Sequence, residues 1–127
     1  PLTHLRCTTR LYEETVKITA KIADEYCGGR IIATGGGGYD IWRVVPRAWT
    51  LVWATLSGQD APDQIPFGWQ QRWQGESPLL LPERLRDRPD DFSEVPRRAE
   101  IEAANRRTLG ELRRVALPAL TGWSLGF

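Results

Sequence analysis

The order of elements along the chain predicts an α/β fold. An amphipathic helix pattern is followed by a short apolar run, four consecutive glycines and a tryptophan-rich helix pattern. The apolar run is too short for a helix and does not alternate with polar residues, which favours a parallel strand buried on both faces. With 127 residues and a net charge of +1, the chain has the size of one domain and no charge excess that would indicate nucleic acid.

The first helix is predicted at residues 8–26. A threonine at position 8 or 9 can cap its start, and the glycine pair at 28 and 29 can end it. Its larger side chains recur at helical spacing and form one face, made of Leu11, Thr15, Ile18, Ile22 and Tyr26.

The strand is predicted at residues 30–34, with the sequence RIIAT between glycines. In open α/β folds, ligands bind beyond the carboxyl ends of strands, where the chain turns into the next helix. The glycine run and Tyr39 occupy that position, and Asp40 behind them is predicted to cap the turn that follows. The next helix is predicted to begin near Val45, because Pro46 is tolerated only in a first turn.

That second helix is predicted to end at residues 57–58. Trp49 and Trp53 lie four residues apart on its apolar face, a spacing that favours packing in a core over stacking on a ligand. Residues 59–95 lose helical regularity but keep large aromatic side chains, so they are predicted to form an ordered, irregular Pro/Trp-rich segment. A last amphipathic helix is predicted at 96–117, where glutamates interrupt the arginine pairs in the manner of a solvated face.

Three interpretations of the glycine loop compete. Nucleotide binding is disfavoured, because Asp40 or Ile41 fills the third glycine position of a G-x-G-x-x-G motif and no Gly-Lys-Ser/Thr follows. In a purely structural interpretation, the glycines permit tight packing and Tyr39 fills a gap in the core. In a catalytic interpretation, the Tyr39 hydroxyl donates a hydrogen bond to an oxyanion that develops on a carbonyl.

The block GGGGYDIWRVVPRAWT resembles the glycine-rich loop and following helix of the zinc-dependent histone deacetylase family. The resemblance is closest to the bacterial acetoin-utilisation branch of that family. The GGGGY and R-x-W-T blocks of the family correspond to residues 35–39 and 47–50. The upstream stretch PLTHLRCTT is similar to the family segment that follows the last metal-binding aspartate. At the level of motifs, the resemblance covers about the first 58 residues.

This resemblance implies the C-terminal portion of the arginase/deacetylase three-layer αβα fold. The whole chain, 1–127, would then be a single partial domain. Its parts would be a helix–strand–loop–helix unit at 1–58, a wrapping segment at 59–95, and a C-terminal helix with its tail at 96–127.

The resemblance also implies the chemistry of zinc-assisted amide hydrolysis. Tyr39 would stabilise the oxyanion, and Gly36, Gly37 and Gly38 would line the bottom of the acetyl-lysine channel. The substrate would be an acetylated amine or an acetyl-lysine protein. The alternative is a non-catalytic α/β interaction module that retains the glycine loop as a scaffold.

The chain departs from the family at the metal site. The family uses an Asp-His-Asp site and a histidine pair, whereas this chain has one histidine, His4, and a lone histidine can hardly build a zinc site. We therefore expect zinc in the full-length enzyme, no metal in this part and no activity of the isolated chain. Alone, the chain is expected to expose Ile31, Ile32 and part of the Trp49–Trp53 face, and to pair with a missing N-terminal part or with itself.

The remaining composition predicts a cytoplasmic protein. Cys7 and Cys27 lack the spacing of metal ligands, and their low number fits a reducing compartment. No apolar run approaches the roughly 20 residues of a transmembrane helix. Neither a membrane nor nucleic acid is therefore an expected partner.

Overall fold

The structure is a computed structural model that describes residues 7–121, so the interpretation of His4 lies outside the described residues. The chain divides into two units, Pro1–Asp91 and Phe92–Phe127. The described elements are the helices α1 (Thr9–Cys27), α2 (Val45–Ser57), α3 (Phe67–Trp73) and α4 (Arg98–Thr121), with a 3-10 turn at Pro89–Asp91. None of the helices within 7–121 is both long enough and apolar enough to span a bilayer.

Helix α1 begins and ends at the residues that its caps dictate. The hydroxyl of Thr8 accepts a hydrogen bond from the backbone N–H of Leu11, which satisfies one of the free donors of the first turn. Gly28 and Gly29 have φ angles of 59° and 74°, a left-handed conformation that glycine adopts without steric cost. The predicted helix is therefore confirmed, with its boundaries shifted by one residue.

The parallel strand predicted at 30–34 is not confirmed. Residues 30–38 have no regular secondary structure. A strand needs a hydrogen-bonded ladder with a neighbouring strand. Among the described residues, such pairing is limited to one isolated antiparallel bridge between Gln64 and Arg84. Ile31 and Ile32 are 40% and 89% exposed, so the side chains expected to be buried on both faces of a sheet lie open in this chain.

Helix α2 forms the centre of the first unit. It begins at Val45 and ends at Ser57, as predicted, and it packs against α1. Leu51 on α2 is fully buried and forms the core with Ile65 and Leu85. Those two residues come from the irregular segment, so this segment contributes to the core and is held by the same apolar contacts as the helices.

Trp53 does not pack in the core, contrary to what its helical spacing favoured, since its side chain is 63% exposed. This exposure agrees with the expectation that the chain alone leaves part of the Trp49–Trp53 face open. The buried positions of α2 are Ala48, Leu51 and Ala54. They follow each other at intervals of three residues and form a narrow stripe. The apolar side chains of the sequence form a broader face, made of Val44, Val45, Ala48, Trp49, Val52, Trp53 and Leu56. Trp53 is the exposed member of that face, and its other members are partly or fully buried.

Helix α4 makes up most of the described part of the second unit. It begins two residues later than predicted, because Arg97 has a φ of 58° and cannot be part of a right-handed helix. It runs through Pro118 to Thr121. Two of its arginines pair with glutamates three or four residues away, Arg98 with Glu102 at 2.8 Å and Arg114 with Glu111 at 2.7 Å. These pairs are exposed, which agrees with the predicted solvated face.

Candidate active-site loop

The glycine loop is fastened to α2 at two of its glycines. Gly38 has a φ of 127°, and a Cβ at this position would overlap the Cγ2 of Val45. A Cβ at Gly35 would lie 3.7 Å from the ring of Trp49. At Gly36, by contrast, an added Cβ would meet nothing within 4 Å. Two glycines thus allow the backbone to approach the helix, while Gly36 borders open space.

Asp40 connects the loop to the first turn of α2. Its Oδ1 accepts a hydrogen bond of 2.9 Å from the backbone N–H of Arg43, and its carbonyl oxygen accepts one of 2.9 Å from Val45. The Arg43 guanidinium also donates to Oδ2 at 2.6 Å. Partial burial opposes ionisation, but these hydrogen bonds and the Arg43 charge outweigh it and lower the pKa of Asp40. Asp40 therefore has the capping geometry that the sequence favoured.

Tyr39 stands at the surface of this turn. Its side chain is 76% exposed, and its hydroxyl makes no hydrogen bond within residues 7–121. It does not fill a gap in the core of this chain, which was the structural interpretation of the sequence. The Tyr39 hydroxyl can therefore donate a hydrogen bond to a bound molecule without first breaking a hydrogen bond within the described part of the chain.

Arg47 and Asp87 join three parts of the first unit. The Arg47 guanidinium donates from Nη2 to Asp87 Oδ1 at 2.5 Å and from Nε to the Leu85 carbonyl at 2.9 Å. Asp87 Oδ2 accepts from the backbone N–H of Thr9 at 2.7 Å, and the Asp87 N–H donates to the Thr9 hydroxyl at 2.8 Å. The first turns of α1 and α2 are thereby both bound to residues 85–87.

The charge state of Asp87 follows from these contacts. Desolvation acts against the carboxylate, but the hydrogen bonds from Thr9 and Arg47 and the charge of Arg47 prevail, so the pKa of Asp87 is lowered. Asp87 therefore remains ionised near neutral pH and complements the positive end of the α1 dipole.

A second ion pair fastens the same segment to α1. Arg86 Nη2 lies 2.9 Å from Glu13 Oε1, and Arg86 Nη1 donates to the Ala61 carbonyl at 3.0 Å. The backbone N–H of Arg86 donates to Asp63 Oδ1 at 2.9 Å. This pair secures residues 61–63 and 86 against α1 and forms no hydrogen bond or ion pair with α2 in the described part of the chain.

Sequence reasoning missed the contacts of Thr9, Arg47 and Asp87. Arg47 stands out in the sequence only as the first residue of the R-x-W-T block, and Asp87 lies in a charged stretch without periodicity. The hydrogen bonds of Asp87 reach back 78 positions to Thr9 and 40 positions to Arg47. Such long-range pairs leave no local pattern in a single sequence.

The described residues do not form a metal site. Within 7–121, no group of three or more histidine, cysteine, aspartate or glutamate side chains is placed to hold an ion. Cys7 and Cys27 are both exposed and free. The described residues therefore do not by themselves fit the zinc ion that the resemblance implies.

Comparison with known proteins shows the family of the chain. A histone deacetylase domain matches residues 1–56. The chain is 45% identical over 111 residues to the acetoin utilization protein AcuC of Bacillus subtilis (strain 168), which covers 87% of this chain and 29% of the relative. The chain belongs to the histone deacetylase family. No solved structure matches it.

Two further AcuC proteins match this chain with similar identity and coverage. That of Staphylococcus aureus (strain Mu50 / ATCC 700699) is 44% identical over 108 residues, covering 84% of this chain and 28% of the relative. That of Staphylococcus xylosus is 42% identical over 106 residues, covering 83% and 28%. The chain thus spans less than a third of the length of these relatives.

Family membership implies the arginase/deacetylase αβα fold for the protein to which these residues belong. The similarity to AcuC proteins also reaches further than the motifs suggested. An alignment over 111 residues extends well beyond Gly58, into the irregular segment that holds Ile65, Leu85 and Asp87. The docking of this segment on α2 is therefore a property of a region that is shared with the relatives.

Proposed function

We propose that the chain forms part of the active site of a deacetylase, an amide hydrolase that releases acetate from an acetylated amine. Tyr39 is the group that it contributes to the reaction. The observation that carries this proposal is an exposed tyrosine on a glycine loop that two packed glycines and an aspartate cap hold against α2.

The chemistry of amide hydrolysis explains why a phenol is useful at this place. When water attacks the acetyl carbonyl, negative charge develops on the carbonyl oxygen. A hydrogen bond from the Tyr39 hydroxyl to that oxygen strengthens as the charge grows, so it stabilises the transition state more than the substrate. Gly36, Gly37 and Gly38 would border the acetyl group, and the open space at Gly36 suits a substrate chain.

Zinc would polarise the carbonyl and activate the water if the enzyme follows its family. Its ligands would have to come from outside the described residues, since these hold no metal-binding cluster. The isolated 127-residue chain is accordingly proposed to be inactive by itself. Its own part in the reaction is to place and orient the Tyr39 hydroxyl.

The proposed substrates are an acetyl-lysine protein and a small acetylated amine. The name of the AcuC relatives refers to acetoin utilization and states no acetylated substrate. Both proposed substrates share an acetyl amide on a flexible amine, and the loop would contact only that part. The choice between them would depend on surfaces outside the loop.

The second candidate is an interaction module that keeps the loop as a scaffold. It is favoured by the packing of Gly35 and Gly38, which α2 alone suffices to explain. An assay on the intact protein, including any residues that precede Pro1 in it, separates the two candidates. We expect an acetyl-lysine peptide or an N-acetylated polyamine to yield acetate and free amine in equal amounts. A protein that binds stoichiometric zinc yet releases neither product from either substrate would support the module.

A further inference from the structure

We propose that Arg47 and Asp87 are positioning residues, which fix the first turn of α2, and with it the Tyr39 loop, relative to the start of α1. The inference rests on the proposed function, because its consequence is measured at the Tyr39 hydroxyl. Neither residue needs to touch a substrate. Their effect passes through the first turn of α2.

Asp87 divides its two carboxylate oxygens between two helices. Oδ1 accepts from Arg47 in the first turn of α2, and Oδ2 accepts from the backbone N–H of Thr9 at the start of α1. The side chains of Arg47 and Asp87 are only 14% and 17% exposed, and Thr9 is buried. Water therefore competes little for these hydrogen bonds, and one carboxylate sets the spacing of the two helix starts.

The Tyr39 loop depends on the same turn of α2. Arg47 follows Val45 by two residues, and Val45 is the residue against which Gly38 packs. The backbone N–H of Val45 also donates to the carbonyl of Asp40, directly after Tyr39. A shift of this turn consequently moves the backbone on both sides of Tyr39.

The rest of the loop offers little independent support. Residues 30–38 have no regular secondary structure, and most of their side chains are exposed. The position of Tyr39 is thus set mainly from its C-terminal side, through α2. Because a displacement of about 1 Å in an active site can cost roughly a hundredfold in rate, a loosened turn should be visible in kcat.

The Arg86–Glu13 pair provides a matched control. It joins the same segment, residues 85–87, to α1 through charged hydrogen bonds, but among the described residues it forms no hydrogen bond or ion pair with α2. Arg47→Gln and Arg86→Gln remove the same charge and leave side chains of the same size. Only the first of the two variants should affect the Tyr39 loop.

The test is a double-mutant cycle in the intact protein, with kcat and KM measured on an acetyl-lysine peptide. Arg47→Gln and Asp87→Asn should each lower kcat by about tenfold to a hundredfold and change KM by less than about threefold. In a Tyr39→Phe background, Arg47→Gln should lower kcat by less than about twofold, because the hydroxyl that it positions is absent. Arg86→Gln should leave kcat near that of the wild type.

A readout without turnover accompanies the cycle. Amide hydrogen exchange of residues 35–45 should be faster in Arg47→Gln than in the wild type and unchanged in Arg86→Gln.

If Arg47→Gln has no cooperative thermal transition, Arg47→Lys takes its place. A lysine keeps the charge but cannot reach both Leu85 and Asp87 with the fork of a guanidinium, so a smaller fall in kcat with the same non-additivity is expected.

Three results would overturn the inference. The first is an equal fall in kcat whether Tyr39 is intact or replaced by phenylalanine, which would show a general structural role. The second is an unchanged kcat in Arg47→Gln, and the third is unchanged exchange at residues 35–45. If the proposed function itself were wrong, Tyr39→Phe alone would leave kcat unaltered, which distinguishes that outcome from the three above.

Discussion

At the scale of single residues, three of the four consecutive glycines have clearly different environments. Gly38 has a positive φ and is closed off by Val45, Gly35 faces the ring of Trp49, and Gly36 borders open space. The sequence showed where the loop is and which residue follows it, because a glycine run before a tyrosine can be recognised without a structure. It could not rank the glycines, since their neighbours belong to α2.

Replacing Gly38 by alanine should destabilise the protein, because the new Cβ overlaps Val45 and the backbone has a φ of 127°. We expect a loss of about 1–3 kcal/mol of unfolding free energy, measured by denaturant titration. Gly36→Ala is the matched control and should change stability by less than about 0.5 kcal/mol. If Gly36 lines the substrate channel, Gly36→Ala should raise KM although it leaves stability almost unchanged. Equal stabilities of the two variants would contradict the loop geometry.

At the scale of elements, α1, α2 and α4 were predictable, whereas the short helix α3 lies in the segment 59–95 that was predicted to be irregular, and the predicted strand is not confirmed. The boundaries of α1 and α2 follow from local signals, namely a threonine cap, a proline in the first turn and glycines at the ends. A strand depends on partners elsewhere in the chain, and the described residues offer no ladder to residues 30–34. For the same reason, periodicity pointed to the broad face of α2 and passed over Leu51, whose burial depends on Ile65 and Leu85.

Leu51 should carry much of the docking energy between α2 and the irregular segment. Leu51→Ala leaves a cavity at the centre of the cluster with Ile65 and Leu85, so we expect a loss of about 2–5 kcal/mol in urea unfolding. Leu80→Ala makes the same chemical change at a side chain that is mostly exposed, and it should cost less than about 0.5 kcal/mol. Similar losses in the two variants would show that the segment does not pack on Leu51.

At the scale of the whole molecule, the described chain exposes much apolar surface. The residues Leu11, Ile18, Ile22 and Tyr26 on α1 are each at least half exposed. Ile32 and Trp53 of the first unit are also exposed, and large exposed apolar area favours association with another chain. The sequence predicted such exposure for Ile31, Ile32 and part of the Trp49–Trp53 face.

The isolated 127-residue chain should therefore self-associate. Sedimentation over a concentration series should show an average mass that rises with concentration, because exposed apolar surface and unpaired backbone favour pairing with another chain. Ile32→Lys should weaken this association, whereas Leu80→Lys, at another exposed leucine, should not. A monomer at all concentrations, with a sharp thermal transition, would contradict the expectation.

The most direct test of the central claim is the kcat of Tyr39→Phe in the intact protein. The substitution removes one hydroxyl from an exposed side chain, so folding and substrate binding should hardly change. If the hydroxyl stabilises the oxyanion, kcat should fall by about 10²–10³ while KM stays within about threefold. A variant that turns over acetyl-lysine peptide at the wild-type rate would show that Tyr39 takes no part in the reaction.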